Sequence, residues 1–146
     1  MIRSETEYKE MVKRLQDDRQ FIKMQKESLV EMGLTDEEIQ RAMAPALSFY
    51  EQLKDEVDYY ERIKRGEFRV LLNLEDLGRT LIALRIALGI SQRELSDRLN
   101  VSEAQVSKDE RNEYHGVTVE KVQRILNVLQ VTLKTEVTDF PETLAS

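Results

Sequence analysis

The sequence predicts a mainly α-helical protein: an N-terminal helical hairpin, then a compact bundle of short helices, with one short strand near the C-terminus. Three observations carry this reading. Charged residues fill 34 % of the 146 positions, beside only five Gly and two Pro, a mix that suits long solvated helices better than strands and tight turns. Apolar residues recur at three- and four-residue steps along most of the chain. A single stretch, Val131-Thr132-Leu133-Lys134-Thr135-Glu136-Val137, alternates apolar with polar as a strand does.

The elements follow in order. Ser4-Glu5-Thr6-Glu7 has the S-x-x-E spacing of a capping box, in which two side chains satisfy two orphan helix amides. Tyr8, Met11, Leu15, Ile22, Leu29 and Met32 then keep helical spacing, which predicts a helix from about Thr6 to Met32, roughly 40 Å long at 1.5 Å per residue. Gly33 is placed to end it. A second capping box, Thr35 to Glu38, opens the next helix, and Pro45 either kinks that helix or starts a third. Phe49, Leu53, Val57, Tyr60 and Ile63 continue an apolar stripe to Gly66. Two helices of similar length joined by a short turn form an antiparallel hairpin, so residues 1–66 are assigned to partner binding or dimerisation. From Asn73 the texture changes. Helices are expected from Leu74 to Gly89, over Gln92–Leu99, over about Glu103–Glu113 and over Val119–Leu129, with loops short enough to force compact packing. Residues 67–146 are read as the second unit, holding its own core in Leu81, Leu84, Leu95, Leu99, Val106, Val122 and Leu126. The tail from Thr138, with Pro141, is expected to be loose.

Composition narrows the function. With no Cys, disulfides, iron–sulfur clusters and thiolate zinc sites are excluded. His115 is the single His, and neither a nucleophile–base pair nor a phosphate-cradling Gly loop is visible, so no enzyme and no cofactor are expected. Glu110, Glu113 and His115 make a weak zinc pattern, and no metal site is assigned. The longest apolar run, Leu81–Ile90, is broken by Arg85 and too short for a bilayer. Without a signal peptide, the expected compartment is the cytoplasm and no membrane partner is expected. Net charge is −6, shared evenly: residues 1–66 carry 12 Lys/Arg against 15 Asp/Glu, and residues 67–146 carry 10 against 13. That disfavours nonspecific binding to anionic polymers and leaves room for a small basic patch.

The informative stretch runs from Ile90 to Ser107. Ser91 is placed as an N-cap with Glu94 in the reciprocal position. Leu95 and Leu99 share a buried face, and small Ser96 lets another helix approach. Asn100 sits at a sharp turn, where Asn tolerates the left-handed conformation, and Val101 fills that turn. Ser102 caps the next helix and Val106 packs it inward. This is helix, tight turn, helix.

With these residues on the page, residues 74–130 resemble the XRE-type helix-turn-helix domain of phage repressors and many bacterial regulators, a lambda-repressor-like bundle. Leu77–Arg85 matches its first helix, "ISQRELSDRLNVS" its second helix and turn, "EAQVSKDER" its recognition helix and "TVEKVQRILNVL" its closing helix. The resemblance implies a recognition helix in the major groove, with Ser102, Glu103, Ala104, Gln105 and Lys108 near base edges. There Gln105 would pair with adenine, Lys108 reach guanine, Glu103 accept from a cytosine amine and Ala104 meet a thymine methyl. It maps a phosphate contact onto Gln92, at the positive end of its helix, and makes Arg93, Arg111 and Asn112 further backbone contacts. The match departs at Asp109, where the family carries an apolar residue, and near Arg111-Asn112, where it carries a basic residue and Gly. Either Asp109 is paired inside the fold, with Arg111 or Arg85, or the recognition helix sits differently.

The whole-chain pattern resembles HigA-like antitoxins of bacterial toxin–antitoxin pairs. It implies a repressor of a palindromic double-stranded operator that neutralises a cognate toxin through Tyr8, Met11, Leu15, Ile22 and Leu29. The alternatives are a stand-alone or prophage-type regulator, and a protein-interaction adaptor without DNA binding. A lone strand leaves unpaired backbone groups. Pairing with the same strand of a second copy would make a homodimer through Val131, Leu133 and Val137; pairing with the sheet edge of a partner protein is the competing option.

Overall fold

The computed structural model describes residues 1–142 and contains six helices. They are α1 (Glu5–Glu31), α2 (Asp36–Lys64), α3 (Leu77–Ala87), α4 (Gln92–Leu99), α5 (Glu103–Arg111) and α6 (Val119–Leu129). The all-α architecture is as the periodicity indicates.

Both hairpin helices start where their caps are. Ser4 accepts the Glu7 amide at 3.1 Å, while the Glu7 carboxylate reaches one residue further back, to the amide of Arg3. Thr35 and Glu38 form the full reciprocal box. Pro45 lies inside α2 without dividing it; its missing N–H leaves the Arg41 carbonyl without an intrahelical donor.

The stripe on α1 faces its own protein. Tyr8, Met11, Val12 and Leu15 pack against the main core. The Tyr8 ring stacks on Tyr60 at 4.7 Å, and their hydroxyls donate across the hairpin to Glu61 (2.7 Å) and Glu5 (2.9 Å). Ile22 and Leu29 are half-buried further along.

Residues 1–66 and 67–142 share one core. Ile2, Val57, Tyr60 and Ile63 join Leu81, Ile82, Ile86, Leu95, Val106 and Ile125 in a single buried cluster, with Ile2 only 2 % exposed. Arg85 of α3 also donates to the Arg3 carbonyl. The expectation that the C-terminal part holds a self-contained core is corrected accordingly: its first helix is covered on one side by the base of the hairpin and by the chain's first residues.

Three boundaries differ from expectation. The helix anticipated from Leu74 begins at Leu77, because Asn73 and Asp76 adopt positive φ (55° and 59°) and break the pattern into a turn. α5 stops at Arg111, followed by Glu113 and Tyr114 at positive φ. No strand forms over Val131–Val137: among the described residues nothing pairs with it, and a lone segment has no ladder to join. Val131 and Leu133 lean on the core, whereas Val137 is 82 % exposed. The last residues of the expected loose tail, 143–146, lie outside the described residues.

Tyrosine burial gives the fold an alkaline limit. Burial and the hydrogen bond to Glu5 push Tyr60 up to about 12. The hydrogen bond to Glu61 raises Tyr8, and burial raises Tyr114. In the folded protein these three tyrosines thus keep their protons where an unfolded tyrosine, near 10.0, has lost its own. Stability is fully present below pH 10 and falls as pH climbs towards 12. Denaturant melts between pH 8 and 11 should show that decline in the wild type and a weaker one in Tyr60→Phe.

Candidate nucleic-acid interface

The helix–turn–helix is built by local rules. Ser91 Oγ accepts the Glu94 amide at 3.0 Å and starts α4. The Glu94 side chain turns to Arg98 on the next turn of the helix, at 3.0 Å, rather than closing the box. Leu95, Ser96 and Leu99 are buried, and the Ser96 hydroxyl is absorbed by the Arg93 carbonyl at 2.6 Å. Asn100 takes φ 55°, ψ 42°, the left-handed turn its side chain tolerates. Val101 is exposed rather than filling that turn; its amide donates to the Ser96 carbonyl. Ser102 then caps α5 by accepting the Gln105 amide.

On α5, Val106 faces the core while Glu103, Ala104, Gln105 and Lys108 are exposed together. Ser102, Arg93, Arg111 and Asn112 are exposed as well, and Asn112 caps the helix end. Two expected pairings are corrected. Asp109 pairs with neither Arg111 nor Arg85: its carboxylate accepts from Lys121 Nζ of α6 at 2.6 Å and from Gln105 Nε2 at 2.9 Å. Arg85 is taken by Glu110, with Nε 2.6 Å from Oε1 and both side chains almost fully buried.

That ion pair is the anchor of the site. The Arg85 guanidinium also donates to the carbonyls of Ile90 and Arg3. The second Glu110 oxygen accepts from Gln92 Nε2 at 3.0 Å. Gln92, the expected phosphate contact, is therefore half-buried at the head of α4 with its amide held by Glu110. Its one remaining N–H and its carbonyl are the groups left for a ligand. Glu110 was missed as a structural residue, although it lies four positions after Val106 and hence on the same inward face. Turned inward, it is also lost to any set with Glu113 and His115, and no metal-holding group of acids and His occurs among the described residues.

The arrangement offers a short helix with an outward row of one acid, one amide and one amine, flanked by Arg93 and Arg111. Of the two acids beneath that row, Asp109 is neutralised by Lys121 and Glu110 by Arg85. Such a row suits base-edge hydrogen bonding better than bulk phosphate attraction. Among the described residues no helix is long and apolar enough to cross a membrane.

No curated protein and no solved structure matches the chain. Residues 81–135 match the Helix-turn-helix family model, a DNA-binding regulatory domain, across most of α3, the whole α4–turn–α5 unit and α6.

Proposed function

We propose that this protein is a sequence-specific transcriptional repressor that reads a palindromic operator as a homodimer. The observation that supports it most is the exposed Glu103–Ala104–Gln105–Lys108 row on a capped helix, held at its inner face by Val106 and Glu110. Gln105 and Lys108 carry the base readout. Asp109 holds the Gln105 amide in place until DNA exchanges for that contact. Alanine at Gln105 or Lys108 should cost about 1–3 kcal/mol on the cognate operator and relax specificity there. Binding of genomic fragments followed by competition with mutated sites measures both. Unchanged affinity for the double alanine variant would remove α5 from the groove.

The dimer rests on the C-terminal segment. Backbone groups of residues 132–141 make no backbone hydrogen bonds among the described residues, and antiparallel pairing with a second copy would satisfy them. Deleting residues 135–146 spares Val131 and Leu133 and so leaves the core covered. It should shift light scattering towards monomer and weaken full-operator binding far more than half-site binding. If the shortened protein stays fully dimeric, the hairpin is the dimer seam.

An antitoxin role, with the hairpin holding a toxin, is the finer form of this reading. The stripe first assigned to it, Tyr8, Met11 and Leu15, already packs inside the protein. The exposed large apolar side chains of the hairpin are instead Phe21, Met24, Val30, Met32, Leu47 and Phe49, which gives a partner a different surface to grip. Co-purification from the native host, with Phe21 and Phe49 changed to serine in parallel, tests it.

A further inference from the structure

We propose that the cavity where the hairpin meets α3 binds a small oxyanion, the carboxylate or phosphate group of a diffusible metabolite. The cavity lies between the end of α2, the linker after Gly66 and the first turns of α3. At about 60 Å³ it has room for roughly four waters, which is the size of a head group rather than of a whole nucleotide. Two arginines converge on it. The guanidinium carbons of Arg69 and Arg79 each lie 5.3 Å from the centre of the Tyr59 ring. Neither is within 4.0 Å of a carboxylate among the described residues. The Nε of Arg79 is shut off from solvent and has no acceptor among the described residues, a cost that a ligand oxygen would remove.

The neighbouring groups set the ligand's charge. Glu67 is neutralised by Arg65 at 3.0 Å, so Asp76 is the one lining acid that is not ion-paired. Two guanidinium groups against one carboxylate leave room for a single anionic group. Thr80 donates its hydroxyl to the Asp76 carbonyl and can serve only as an acceptor. The planar guanidinium fork matches the geometry of carboxylate and phosphate oxygens. Tyr59 and Phe68 supply an apolar edge for whatever the head group is attached to.

The test uses the full chain in thermal melts with inorganic phosphate or acetate, each compared with chloride at equal ionic strength. At ten times its Kd, one of the two oxyanions should raise the melting temperature by about 3–5 °C. Arg69→Gln, at an exposed position, should melt like the wild type in chloride and lose the shift. Arg79→Gln should lose it too. Identical melting in all three salts would overturn the proposal, as would a shift that survives in both variants. Weakened binding of Arg69→Gln to random-sequence duplex, without any oxyanion shift in the wild type, would assign the arginines to the DNA backbone and overturn it as well.

Discussion

Glu110→Ala is expected to cost about 3–5 kcal/mol of stability, because it leaves the Arg85 guanidinium buried without its counter-charge. Arg85 is only 3 % exposed and Glu110 1 %, so neither can turn to water without opening the core. The loss propagates. Gln92 loses its acceptor, and α5 loses the one tie that fixes its inner face to α3 beyond Val106. Urea unfolding measures the cost. Glu110→Gln keeps the shape and one acceptor oxygen, and should lose less. The double variant Arg85→Met with Glu110→Met removes both charges and should recover much of what Glu110→Ala loses, although the Ile90 and Arg3 carbonyls then go without their donor. A cost below about 1 kcal/mol for Glu110→Ala would mean that the pair is open to solvent. Operator affinity, measured at a temperature where the variants remain folded, should fall with the loosened α5.

The contrast between Asp109 and Glu110 shows where sequence reading succeeds and where it stops. The N-cap residues Ser4, Thr35, Ser91 and Ser102, left-handed Asn100 and the buried Leu95, Leu99 and Val106 are local signals, and each lands where its chemistry places it. Helical phase was also available: Glu110 follows Val106 by four residues, Asp109 by three. Which of two adjacent acids is buried depends, however, on Arg85 lying 25 residues away, and no local rule names that partner. The α1 stripe is similar. Its spacing marks an apolar face correctly, yet whether Tyr8 and Leu15 meet a foreign protein or Tyr60 and the helix-turn-helix core is decided by how the first residues fold back, with Ile2 as the plug. The alternating segment Val131–Val137 is legible as a strand only in the sense that it awaits a partner, because a ladder belongs to two segments at once. Positive φ at Asn73 and Asp76 was readable in residue type; at Glu113 and Tyr114 it was not, since tertiary contact holds them there.

That last contact gives the sharpest stability test. Gly78→Ala reads as favourable from helix propensity, worth about 0.5–1 kcal/mol, since Gly78 lies in the first turn of α3. The packing predicts the opposite sign. A Cβ on Gly78 would overlap the carbonyl oxygen of Glu113 and crowd the Tyr114 Cβ at 3.2 Å. The obstacle is backbone, in a turn already held at φ 51° and 55° by buried Tyr114, so no side-chain rotation relieves it. Overpacking of a core typically costs 1–3 kcal/mol and sometimes more. Here the upper end is expected, about 3 kcal/mol or a melting-point loss near 10 °C. Gly33→Ala is the control: it also forces a side chain onto positive φ, at 81°, but meets nothing within 4 Å, so its cost should stay at about 1–2 kcal/mol. Because the displaced turn directly follows α5, Gly78→Ala should also weaken operator binding in the fraction that folds, whereas Gly33→Ala, at the far end of the hairpin, should not. Equal melting points for Gly78→Ala and the wild type would show that α3 and the Glu113–Tyr114 turn are further apart than this close approach requires.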